Sequence, residues 1–211
     1  MRLLGASGFV IVEDELTLID AGLAGSGRLL RRYLKRIGRR QEEVVRIVCT
    51  HAHPDHIGGV REIAFGHETE VLMHPDDAAR LRITAREVVA RPSVSAIVAL
   101  FTRGPEDARP LADGQVLPVL GGLRVVHTPG HTPGSVCLYA PRHRLLFVGD
   151  VLQVLRGRLA FASQFFSEDL SLARRSTAKL ADLDVEVIAL SHFPPWRTDA
   201  NAALRALAEA S

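Results

Sequence analysis

Long apolar runs are missing from this 211-residue chain. None approaches the roughly eighteen consecutive apolar residues that a spanning helix needs, so no membrane partner is expected. Cysteine is scarce, with Cys49 and Cys137 the two present, both inside apolar runs. That excludes a disulfide framework and fits buried thiols in a reducing compartment. The N-terminal MRLLGASGFVIVEDE lacks the basic start and long apolar stretch of a secretory leader and reads as a first strand. A cytoplasmic location is therefore the expectation. Aromatic residues make up 5% of the chain, and 26 basic residues face 24 acidic ones. With neither stacking platforms nor a dominant positive charge, no nucleic-acid partner is expected.

What is present is an ordinary globular composition, 47% apolar and 24% charged, on a length suited to one domain spanning 1–211. The one local charge excess is RLLRRYLKRIGRR, residues 28–40. Its apolar members Leu29, Leu30, Tyr33, Leu34 and Ile37 recur at helical spacing, which leaves the bases on the opposite, solvated face. Ser26 stands where a helix cap would.

Strands are expected at 8–13, 16–20, 44–49, 70–73, 115–119, 123–127, 135–140, 144–148 and 186–190. Helices are expected at 26–37, 59–65, from Pro75, over 169–182 and from Thr198. The segment 85–112, with Pro92, Pro105 and Pro110 around the apolar stretch 94–101, reads as a lid or insert. Two groups of strands with helices between and after them predict a mixed α/β fold, two sheets packed face to face and covered by helices.

The chemistry concentrates in THAHPDHIGG. His51, His53, Asp55 and His56 place four strong ligand types within six residues, and packing them together without a cation would cost several kcal/mol in unsatisfied polar groups. Alternation along an extended segment aims His51 and His53 at one ion, while Asp55 and His56, past a bend, face a second. Gly58 and Gly59 would let the chain turn there. Imidazole and carboxylate without thiolate suit zinc, with manganese or iron as alternatives. Further donors stand where apolar strands run into loops: His131, Asp150 and His192. His127 reads as a residue that either orients a ligand from behind or is structural, and His74 as a helix-start residue. Asp20, ending LTLID, either orients a ligand or makes a turn. The glycines at 22, 25 and 27 run in the wrong order for a dinucleotide fingerprint.

In the order LIDAG, THAHPDHIGG, HTPGHTPGS, FVGD and a final strand-histidine, the chain resembles the metallo-β-lactamase superfamily over nearly its whole length. The resemblance implies a four-layer αββα sandwich. It implies a first metal on His51, His53 and His131, a second on Asp55, His56 and His192, and Asp150 bridging both. The last histidine departs from the family pattern, lying in Ser191-His192-Phe193-Pro194-Pro195 where relatives usually place glycines on either side.

Such a site would hold two ions, expected to be zinc, about 3.5–4 Å apart and acidify a shared water so that hydroxide attacks a carbonyl, with one of the ions, or Asp55 as a proton shuttle, helping the leaving group depart. The expected substrate is a small acyl compound, a thioester in the manner of glyoxalase II. The chain ends nineteen residues after His192, too soon for the helical domain with which classical glyoxalase II grips glutathione. Lactone or β-lactam hydrolysis is the alternative, and a mono-iron persulfide dioxygenase the alternative of another class. Val94, Ile97, Phe101 and Arg103 of the lid, with Phe161, Phe165 and Phe166, are expected to line an apolar entrance. The lid could also make a homodimer contact.

Overall fold

The computed structural model describes residues 1–66, 68–81, 89, 104–105, 107–162 and 165–210. Two compact units divide the chain, Met1–Leu111 and Ala112–Ser211. Each builds its own mixed sheet.

In the first unit the elements are β1 (Phe9–Val12), β2 (Leu16–Ile19), α1 (Gly27–Arg36), β3 (Val44–Val48), α2 (Pro54–Ile57), α3 (Val60–Ala64), β4 (Glu70–Met73), α4 (Pro75–Arg80) and β5 (Arg109–Pro110). The sheet runs β1-β2-β3-β4-β5. Its first pair is an antiparallel hairpin; the others are parallel. Parallel neighbours need crossovers, which α1 supplies between β2 and β3, and α2 with α3 between β3 and β4. Every residue of β2 is buried, Thr17 included, as in a strand covered on both faces. Leu16, Leu18, Ile47, Ile57, Ile63 and Met73 share the core with Leu30 and Leu34 of α1. The opposite face of α1 exposes Arg28, Arg31, Arg32, Lys35 and Arg36, as the spacing predicts. Ser26 does precede the helix, but its hydroxyl makes no side-chain cap; Oγ accepts the Leu4 N–H at 3.2 Å instead.

The second unit holds β6 (Val116–Leu117), β7 (Leu123–His127), β8 (Val136–Ala140), β9 (Leu145–Phe147), β10 (Leu152–Leu155), β11 (Arg158–Phe161), α5 (Leu170–Thr177), β12 (Val187–Ala189) and α6 (Ala200–Glu209). Its main sheet runs β12-β9-β8-β7-β6, antiparallel except that β12 lies parallel to β9. Leu146, Val148, Ile188 and Leu190 pack with Leu180 and with Leu204 of α6 in one core.

The helix expected over 59–65 is present as α3, and a further short helix, α2, precedes it, with Pro54 in its first turn after His53. Other sequence expectations change. The helix expected to 182 ends as α-helix at Thr177 and continues as a 3-10 turn, Ala178–Asp182. The hairpin β10–β11 was not expected. Its two-residue turn puts Arg156 and Gly157 both at positive φ, 51° and 74°, the primed geometry that favours hairpins, without the Asn-Gly pair that announces it. Within the 85–112 segment, Arg109–Pro110 form an edge strand and Leu111 is buried. Val94, Ile97, Phe101 and Arg103 lie outside the described residues. No helix among the described residues is long and apolar enough to cross a membrane.

Burial pushes the Cys137 thiol up to about 12 and the Cys49 thiol well above the usual range. Because the thiolate is the nucleophile, iodoacetamide at pH 8 should leave both unlabelled in the folded protein and label both in denaturant, read by mass spectrometry. Leu30→Ala, at a fully buried position, should cost about 2–5 kcal/mol in a denaturant titration.

Candidate metal centre

Parallel strands end on the same side of a sheet, and the carboxyl ends of such strands are where side chains can gather without breaking the ladder. In the first unit Ile19 pairs with Val48, so Asp20, the next residue of one strand, stands beside the Cys49-Thr50-His51 exit of the other. Asp20 takes a left-handed backbone, φ 57°, and turns a completely buried carboxylate toward that exit. Its Oδ1 accepts the Thr50 N–H and its Oδ2 the Thr50 hydroxyl, each at 2.8 Å. The same Oδ2 lies 2.8 Å from His56 Nδ1. Since a carboxylate accepts, Nδ1 carries the proton and Nε2 keeps the lone pair.

The Thr50 hydroxyl, having donated to Asp20, is 3.1 Å from His51 Nδ1 and accepts from it. His51 is thereby fixed in the same tautomer as His56. Carboxylate and hydroxyl partners on the far nitrogen are what orient a metal-ligating imidazole and raise its basicity. Asp20 is thus an orienting residue, which resolves the choice that sequence left open. The His51 ring centroid lies 4.7 Å from that of His53 and 4.0 Å from that of His56. Asp55 Oδ2 is 3.8 Å from His56 Nε2. All four residues of the motif therefore gather at one end of β3.

Both glycines that follow have ordinary backbone angles, φ −59° at Gly58 and −84° at Gly59, so left-handed freedom is not why they are needed. Close approach is. A Cβ on Gly59 would sit 2.3 Å from the Ala21 carbonyl oxygen, and one on Gly58 2.5 Å from that of Pro54. The helix carrying His56 lies against the loop after Asp20, with the Ala21 N–H donating to His56 O and the Gly59 N–H to Gly22 O at 2.9 Å. Sequence reasoning passed over Asp77, whose Oδ2 accepts the Ala52 N–H at 2.7 Å; the only signal was a second acid after the helix-opening His74-Pro75. His74 does begin α4, its Nδ1 accepting the Asp76 N–H at 3.3 Å.

The second unit mounts its donors by the same rule. Ala189 pairs with Phe147 in parallel register, so Asp150 and His192, each three residues further on, emerge side by side, with His192 Nε2 3.1 Å from Asp150 Oδ2. The same Oδ2 is 3.8 Å from His131 Nε2. One carboxylate oxygen thus lies between two imidazoles. After His192 the chain reverses at Pro194-Pro195, and Trp196 pairs back onto Ile188 through two 2.9 Å bonds. That return, rather than a pair of glycines, sets the exit of His192.

The His131 loop is held from within. The Thr128 N–H donates to Ser135 O at 2.8 Å and the Thr132 N–H to Ser135 Oγ at 3.0 Å. Gly130, at φ 133°, leaves room for α5, since a Cβ there would lie 2.2 Å from the Ala173 nitrogen. His127 Nε2 donates to Pro133 O at 2.9 Å, and its backbone N–H donates to Asp113 Oδ1 at 2.8 Å. Phe161 packs on the core with the Arg174 guanidinium 5.5 Å above its ring. Phe165 and Phe166 are exposed. Phe101 lies outside the described residues.

Imidazole and carboxylate donors with tautomers set from behind fit a divalent cation of the zinc, manganese or iron kind. Residues 2–192 match the family model described as "Metallo-beta-lactamase superfamily". The chain belongs to that superfamily and is a hydrolase of it. It is 30% identical over 198 residues to the probable metallo-hydrolase YflN of Bacillus subtilis, covering 84% of this chain and 75% of that one. To the human acyl-coenzyme A thioesterase MBLAC2 it is 33% identical over 158 residues, 70% of this chain and 56% of the human one. Among solved structures, TTHA1623 in a di-iron-bound form superposes with a TM-score of 0.71 at 26% identity, covering 95% of this chain and 96% of that one.

Replacing Asp20 by Ala removes the acceptor behind His56 and Thr50 and should weaken metal binding about 10–100-fold, measured by competition with a chromogenic chelator. Gly59→Ala should cost about 1–3 kcal/mol through overpacking against Ala21, measured by urea unfolding.

Proposed function

We propose that this chain is a binuclear zinc thioesterase acting on small acyl thioesters. The observation that carries the reading is the set of seven donors, each at the carboxyl end of a strand or in a bonded loop, with His51 and His56 backed through Asp20. In this reading the two units form one metallo-β-lactamase domain. His51, His53 and His131 serve one ion, Asp55, His56 and His192 the other, and Asp150 both. Likeness to a human acyl-coenzyme A thioesterase over 70% of this chain favours the thioester over the lactone or β-lactam.

Bound cations would supply Lewis acidity and a water acidified toward neutrality. The protein's own part is positioning and proton handling. Asp20 and Thr50 hold two imidazoles in the tautomer that offers Nε2, so no proton need leave them when a cation binds. Asp55, with a side chain 27% exposed, is accessible enough to take the proton of the attacking water and return it to the departing thiolate as the C–S bond breaks. Phe165 and Phe166 would flank the acyl group.

Protein purified without added metal should carry about two zinc ions per chain and hydrolyse acyl thioesters faster than lactones, β-lactams or phosphodiesters. Chelation should abolish the activity and zinc restore it. Preferential lactone or β-lactam turnover would replace the substrate assignment while leaving the centre intact. About one iron per chain, with oxygen consumed on a persulfide and no hydrolysis, would overturn the reading. Asp150→Ala should lower bound metal and reduce hydrolysis by at least about 100-fold, and His192→Ala should act in the same direction; full activity in either would remove that residue from the site.

A further inference from the structure

Asp77 lies on α4, two residues past Pro75, in the crossover that follows β4. It is fully buried, whereas its neighbour Asp76 is exposed. A buried carboxylate carries a desolvation cost that only hydrogen bonds or a nearby cation offset. The acceptor Oδ2 takes the N–H of Ala52 at 2.7 Å, a short, charge-assisted bond. Ala52 is the residue between His51 and His53, so this bond acts on the peptide that sets the angle between the two imidazoles. It reaches that peptide from the side opposite Asp20. In the sheet β3 lies between β2 and β4, and the loop leaving β3 is gripped from both neighbours, by Asp20 at Thr50 and by Asp77 at Ala52.

We infer that Asp77 is a positioning residue for the metal site: its carboxylate anchors the peptide between His51 and His53 and so fixes the bite of that histidine pair. This rests on the reading of the chain as a metal-dependent hydrolase. Asp20 sets imidazole tautomers and the position of His56, and nothing else in the motif fixes the Ala52 peptide by a side-chain bond among the described residues. Without Asp77, the Ala52 N–H would be left buried and unbonded, and the loop would move to satisfy it. A displacement of even a fraction of an ångström changes a two-histidine bite enough to matter for a cation that demands defined geometry.

Cobalt(II) titration of metal-free protein, followed by visible absorption, tests this directly, since band position and intensity report ligand geometry independently of turnover. Asp77→Ala should bind the first cobalt about 10–100-fold more weakly and with shifted absorption bands, while the metal-free protein keeps its wild-type far-ultraviolet dichroism. Asp77→Asn keeps an oxygen acceptor for the Ala52 N–H and should recover most of the affinity and the wild-type bands. Wild-type affinity and spectrum in Asp77→Ala would overturn the inference. So would a metal-free Asp77→Ala protein that has lost its fold together with an Asp77→Asn protein that binds no better. If the wild-type chain bound no cobalt at all, the hydrolase reading itself would fall, which separates that failure from the failure of Asp77 alone.

Discussion

The Asp20 carboxylate is the interaction on which the first unit's site depends. Two oxygens receive three donors: the Thr50 amide, the Thr50 hydroxyl and His56 Nδ1. Fully buried and placed at a left-handed backbone position, this carboxylate could not be tolerated on packing grounds alone. It persists because both of its oxygens are hydrogen-bonded, one to one donor and the other to two. Through it the end of β2 is tied to the exit of β3 and to the helix that carries His56. Remove it and two imidazoles lose the hydrogen-bond pattern that selects their tautomer, which is the property a cation reads.

The rest of the geometry follows from parallel strand pairing. Parallel neighbours deliver their carboxyl ends to one edge, so residues at equal offsets past a register pair emerge together. Ile19 with Val48 brings Asp20 beside the Thr50-His51 exit, and Phe147 with Ala189 brings Asp150 beside His192. Each unit uses the same device once. The antiparallel strands around them serve as scaffold, and the helices fill the faces with Leu30, Leu34 and Leu204.

Much of this was legible. The HxHxDH run, the later histidines and Asp150 at strand ends, the alternation of strands and the solvated basic face of α1 all follow from residue type and spacing, because periodicity and ligand chemistry are local properties. The misreadings concern features that residue type and spacing do not carry. Ser26 looked like a cap, yet its hydroxyl serves Leu4, twenty-two residues earlier. Gly58 and Gly59 looked like turn residues, yet they are required by the approach of Ala21 and Pro54 oxygens. The β10–β11 hairpin was hidden because Arg156 adopts a left-handed conformation that its identity does not advertise.

By itself the sequence determined the mixed α/β class, the family and which imidazole and carboxylate groups stand at the strand ends, since these depend on which side chains are present and in what order along the chain. Tertiary structure alone decided which nitrogen of each imidazole is offered, that Asp20 rather than a turn holds His56, and that Asp77 anchors the peptide between His51 and His53. Those are contacts across 25 to 36 residues of chain. They are set by strand register and by the space left at two glycines, quantities that exist only once the strands have paired.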